Sequence, residues 1–170
     1  MELEQALGKL EKDSGFNRWK KSKSGSYFSY AFRMLMESEE NSWQIGHYDK
    51  AADKITTFVV GADSVEMKPE EEVFKKETME VLPIDRKKIK LGLNDIVDAA
   101  KNFQHKKYPH DEPVKIIAIL QNLENLGNVW NLTFVTAAFN TLNMKISAEN
   151  GKIMEHKLSS ILSFKKDEGK

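Results

Sequence analysis

Asn41-Ser42-Trp43-Gln44-Ile45-Gly46-His47 and Asn128-Val129-Trp130-Asn131-Leu132-Thr133-Phe134 stand 87 residues apart and carry a tryptophan at the same step. The offset continues without a gap on both sides. Phe16 falls on Phe103, Lys20 on Lys107, Ala31 on Ala118, Glu37 on Glu124, Ala51 on Ala138 and Met67 on Met154. With Asn41 and Asn128 and the tryptophans this makes eight identities in 52 positions, against roughly three expected from ordinary composition. Apolar character repeats as well: Trp43, Ile45 and His47 alternate in step with Trp130, Leu132 and Phe134, the period of a half-buried strand. The chain reads as an internal duplication.

Outward from Trp43, the first unit opens with Leu3, Leu7 and Leu10 on one helical face, and Gly15 is placed to stop that helix. From Tyr27 to Met36 the period switches to two. The large residues Phe28, Tyr30, Phe32, Met34 and Met36 take one side, which is expected to face the helix, and Ser29, Ala31 and Arg33 take the other. Glu37 to Asn41 make a hairpin loop into the Trp43 strand. Asp49 to Lys54 make a polar turn, Ile55 to Val60 a third strand, and Gly61 to Asp63 turn into a short fourth ending near Met67. The second unit repeats the order. Leu93, Ile96, Val97, Ala100 and Phe103 form a helical stripe capped by Asn94 or Asp95, and Tyr108-Pro109 ends it. The strand Val114 to Leu123 follows, with Ile117, Ile119 and Leu123 expected on the helix side. Asn125 to Asn128 turn into the Trp130 strand. Leu142, Met144 and Ile146 alternate before the hairpin signal Asn150-Gly151, and Ile153 to Leu158 return.

The organisation predicted is a first unit at 1–68, a linker at 69–87 containing a short helix or a strand, a second unit at 88–164, and a charged tail at 165–170. Each unit is α+β, one helix on an antiparallel meander. The runs Lys88-Ile89-Lys90-Leu91, Asp95-Ile96-Val97-Asp98-Ala99-Ala100, Val114 to Leu120 and Ile146-Ser147-Ala148-Glu149-Asn150-Gly151-Lys152-Ile153 together resemble a PepSY domain. Ser147 stands where that family usually carries Asp. The resemblance covers about half the chain, and the first unit enters through its similarity to the second. It implies a tandem of cystatin-like sheets, each wrapping a helix, in non-catalytic modules associated with peptidase propeptides, inhibition and accessory roles.

Composition bounds the function. Lysine plus arginine and aspartate plus glutamate number 26 each, so no basic excess marks a nucleic-acid binder. Cysteine is absent, which removes disulfides and thiolate chemistry and suits a reducing cytoplasm; a trimmed extracytoplasmic fragment is the alternative. The start Met1-Glu2-Leu3-Glu4-Gln5 shows no signal-peptide pattern, and no window reads as a membrane span.

Candidate chemistry is sparse. His105, His110, Asp111 and Glu112 match no metal spacing, His47 and His156 read as packed or edge histidines, and the acidic clusters Glu37 to Glu40 and Glu70 to Glu72 lack calcium-loop spacing. No catalytic, metal or cofactor residues are assigned, and an enzyme is not expected. Arg18-Trp19-Lys20-Lys21-Ser22-Lys23 is a basic, aromatic-bearing connection with the chemistry to grip phosphates and stack a base. Nucleic acid remains the less favoured partner. The leading expectation is an interaction module that binds a protein or extended peptide through sheet edges or a concave face. The alternative is a binder of a small ligand or anionic polymer, using the sheet concavity or the basic loop at 18–23.

Overall fold

The computed structural model describes residues 1–35, 42–73 and 79–165, with the side chains of 164 and 165 left aside. The predicted loop at Glu37 to Asn41, the linker centre at 74–78 and the end of the tail lie outside the described residues. Helices α1 (Leu3–Lys12) and α2 (Ser14–Ser22) precede strands β1 (Tyr27–Leu35), β2 (Trp43–Asp49), β3 (Lys54–Val60), β4 (Val65–Met67) and β5 (Glu71–Glu72). Helix α3 (Leu93–Lys107) then leads into β6 (Pro113–Leu123), β7 (Gly127–Thr136), β8 (Asn140–Ser147) and β9 (Ile153–Ser160). The chain is α+β. All nine strands among the described residues form one antiparallel sheet in the order β4-β3-β2-β1-β6-β7-β8-β9, with β5 beside β3.

Two meanders thus run outward from a seam between β1 and β6. At the seam Phe32 pairs with Ile119, the residue 87 positions on, while Ala31 pairs with Leu120 and Arg33 with Ala118. One hydrophobic core spans both halves, drawing Leu3, Leu7 and Leu10 of α1, Phe16 of α2 and Leu93, Ile96 and Ala100 of α3 onto the same face of the sheet. At its centre the fully buried rings of Trp43 and Trp130 meet, with centroids 6.1 Å apart. Each indole N–H donates to a carbonyl two residues ahead of a helix: Trp43 to Met1 O at 3.0 Å before α1, Trp130 to Leu91 O at 3.4 Å before α3. A buried indole needs such an acceptor, and here that acceptor also fixes where each helix enters.

The tryptophans decide which face of β1 and β6 is covered. Ala31, Ala118, Leu120 and Ile116 lie buried toward the helices, whereas Tyr30, Phe32, Ile117 and Ile119 are half-buried on the opposite face. This corrects the expectation that Phe28, Tyr30, Phe32, Ile117, Ile119 and Leu123 face the helices. Two indoles and the helix leucines already fill the space above the seam, so only small side chains fit beneath them at positions 31 and 118. Phe28 is the exception. A bulge between Phe28 and Tyr30 shifts the register, turning Phe28 back toward the core side.

Three local expectations change too. Gly15 does not stop the first helix; Asp13 does, ending α1 and capping α2 by accepting from Phe16 N at 2.7 Å. The basic stretch at 18–23 is therefore mostly the body of α2 rather than a loop. The N-cap of α3 is Gly92, with no side-chain cap from Asn94 or Asp95. In the linker, among the described residues, Glu71–Glu72 form a short strand and the one helical turn is the 3-10 stretch Arg86–Lys88.

Replacing Trp130 by Ala vacates a fully enclosed aromatic site and is expected to cost about 3–5 kcal/mol. Chemical denaturation of wild-type and variant chains measures it, and a loss under about 1 kcal/mol would contradict the packing described.

Candidate functional site

The helix-free face carries a groove of about 390 Å³. Its floor is Phe32 of β1, Ile55 of β3 and Ile119 of β6, and its wall is the linker segment Met79 to Leu82. The wall is fastened to the sheet at several points. Tyr27 Oη donates to Val81 O at 2.7 Å, Ile84 N to Phe28 O at 2.9 Å and Asn122 Nδ2 to Pro83 O at 2.7 Å. Ile84 is buried, and Arg86 bridges Glu4 and Glu11 of α1 at 2.8 and 2.5 Å. The linker thus passes from the helix-free face to the helical layer as a strap.

Gly46 shapes the groove's margin. A Cβ there would come within 2.0 Å of the Tyr30 ring, so the absent side chain lets Tyr30 lie flat across β2 and reach Thr57 Oγ1 at 2.7 Å. Burial raises the Tyr30 phenol above its ordinary value, keeping it a neutral hydroxyl. Gln44 and Gln121 flank the floor, and their amides bond to no described residue. Exposed Gln44 and Met79 open the groove to solvent.

A second hollow, of about 560 Å³, lies between α3 and the start of β6. Lys101, His105, Glu112 and Lys115 ring it, with His105 Nδ1 3.2 Å from Glu112. Of His105, His110, Asp111 and Glu112, which match no metal spacing, His105 and Glu112 are the two that pair with each other. Asp111 instead turns inward and accepts from Thr136 Oγ1 at 3.2 Å and Asn140 Nδ2 at 2.7 Å, tying down the β7 to β8 turn. Among the described residues no three His, Asp or Glu side chains gather as a metal site. His156 packs on Phe103 and meets Tyr108 Oη at 2.8 Å.

The basic stretch disperses. Half-buried Trp19 packs against Phe16, His47 and Phe58 at centroid distances of 5.9, 5.7 and 5.0 Å, which engages its ring with the core. Lys20 bonds Ser26, and Lys23 pairs with Asp49 at 3.2 Å and Glu70 at 2.9 Å. Of the four cations, two are engaged with the protein itself.

His47 lies inside this aromatic cluster, contacting Phe16, Trp19, Phe28 and Phe58. Its Nδ1 has no hydrogen-bond partner among the described residues. Burial, with a lesser contribution from the Lys20 charge, pushes the imidazole down to about 4. Phe134, 87 residues on, occupies the corresponding place with no ionisable group.

No family model matches the chain, and no curated protein sequence does. Among solved structures, the chain is similar to a candidate lipoprotein from Clostridium difficile 630, with a TM-score of 0.55 and 12% identity over 88% of this chain and 97% of that one. At that identity the likeness concerns the fold alone. No helix among the described residues is long and apolar enough to cross a membrane.

His47 makes stability depend on pH. Its folded value lies below the ordinary 6.5, so the unfolded chain takes up a proton first as pH falls. The neutral-ring stability is complete above about 6.5 and declines between there and about 4, by about 3 kcal/mol in all. Urea melts at pH 7 and pH 4.5 should show this loss, and His47→Phe should remove most of the contribution.

Proposed function

We propose that the protein is a non-catalytic interaction module whose helix-free sheet face receives a segment of a partner protein. The observation that carries this reading is the apolar groove between the Phe32–Ile119 seam and the strap at Met79 to Leu82. A half-buried apolar floor beside a fastened wall is the form in which partner side chains are sequestered from water. The sheet edges favour the groove over strand addition. At one edge β4 has three residues and β5 two; at the other β9 carries exposed Glu155 and Lys157. Short or charged edge strands discourage pairing with another chain.

The second reading is a small apolar ligand in the same groove, favoured by a volume within the few hundred Å³ typical of ligand pockets. The alternative that used the basic stretch at 18–23 loses its support, because Trp19 is packed and Lys20 and Lys23 are engaged. The PepSY-like tandem stays part of the proposal. Its support is that shifting β1, β2, β3 and β4 by 87 residues brings each into register with β6, β7, β8 and β9 in turn, and that the seam pairs Phe32 with Ile119. A non-catalytic role is in keeping with that resemblance.

Nile red, a neutral polarity-sensitive dye, tests the groove directly. Saturable binding with a blue-shifted emission is expected, weakened at least fivefold by Leu82→Glu while the melting temperature stays within a few degrees. Absence of saturable binding would remove the groove as the functional surface.

A further inference from the structure

The groove's lining is selective in its chemistry, and the inference below rests on the interaction-module reading just given. Lysine, arginine and histidine are absent from its described lining. Its one described carboxylate, Glu80, is exposed and faces Lys50 at 3.4 Å. An anionic headgroup or a chain-terminal carboxylate would lose its hydration on entering and find no cation in return among the described lining residues. Among the described lining residues, the two unengaged polar side chains are the amides of Gln44 and Gln121, each offering a donor and an acceptor. That combination matches the donor and acceptor of a peptide group.

Register fixes how the two amides are arranged. Phe32 pairs with Gln44 on one side and Ile119 on the other, while Tyr30, two residues back along β1, pairs with Gly46 and Gln121. Gln44 and Gln121 therefore lie diagonally across β1. Two strand spacings sideways and two residues lengthwise separate their origins by roughly 12 Å. An extended chain covers that distance in about four residues. Between them run the Phe32 and Tyr30 rings, an apolar floor for side chains that alternate inward.

We propose that the groove binds an internal, uncharged segment of about four to five extended residues, clasped at its two ends by the Gln44 and Gln121 amides with apolar side chains on Phe32 and Ile119. A terminal carboxylate is disfavoured at this site. Fatty acids are disfavoured for the same reason.

Competition against Nile red on the 170-residue chain tests this. Three probes are compared: a five-residue peptide acetylated and amidated at its ends with apolar side chains at alternate positions, the same peptide with a free C-terminal carboxylate, and decanoate. The expected result is displacement by the capped peptide at a concentration at least tenfold lower than by either anion. Gln44→Ala with Gln121→Ala should raise that concentration about tenfold beyond any change in dye affinity measured on the same variant, and Gln44→Asn with Gln121→Asn should recover part of the loss. If the dye binds but decanoate competes as well as the capped peptide, or the double alanine variant leaves competition unaltered, the peptide clasp is overturned while the groove reading stands. If the dye does not bind at all, both fall together.

Discussion

The contact between Trp43 and Trp130 is the constraint on which the remaining architecture depends. Two indoles cannot share the middle of a core unless the sheet beneath them is lined by small side chains, and Ala31 and Ala118 supply that lining from the two strands that meet there. Their N–H groups in turn hold the chain at Met1 and Leu91, just ahead of α1 and α3. Helix entry, strand seam and core are thereby parts of one packing solution. Because the indoles occupy the helix side over Ala31 and Ala118, the large side chains of Tyr30, Phe32, Ile117 and Ile119 lie on the other face. The apolar groove is a consequence of how the core was filled.

Much of this was legible in the residues. The α+β antiparallel strand order, the hairpin at Asn150-Gly151 and the core position of both tryptophans follow from periodicity and turn chemistry. Gly151 adopts a φ of +74°, as such a turn requires. The sidedness of β1 was not legible. Period two marks alternate residues without saying which set is covered, and the larger set was assigned to the core by size alone. Only the tertiary crowding by Trp43 and Trp130, which come from neighbouring strands, reverses that assignment. The same limit applies to Asp13: an aspartate before Ser-Gly reads as readily as a helix end as a cap for a second helix, and here it is both.

The candidate site was hidden for a related reason. Its residues come from β1, β2, β3, β6 and the strap, and no two of Phe32, Gln44, Ile55, Val81 and Ile119 are close enough in the chain to form a motif. The basic stretch at 18–23 had a local pattern and drew attention accordingly, yet its aromatic belongs to the core. Local pattern and assembled surface report on different things. His47 illustrates the point from within the core, since its alternation with Trp43 and Ile45 places it inside but does not reveal that four aromatic rings surround it and leave its Nδ1 with no partner among the described residues.

The seam also bears on how the chain is made. Strand β1 is bordered by β2 on one side, within reach of a hairpin, but its other partner, β6, begins at Pro113. On a ribosome the first half emerges with Tyr30, Phe32 and Met34 along an unpaired strand border, and it stays so until some eighty further residues have been synthesised. At about 5–20 residues per second this lasts several seconds, long compared with the time a hairpin needs to form. An unsatisfied, apolar strand border is the template on which nascent chains pair with one another. The nascent protein is therefore most vulnerable to self-association between the synthesis of β1 and that of β6, in proportion to how densely ribosomes crowd its message.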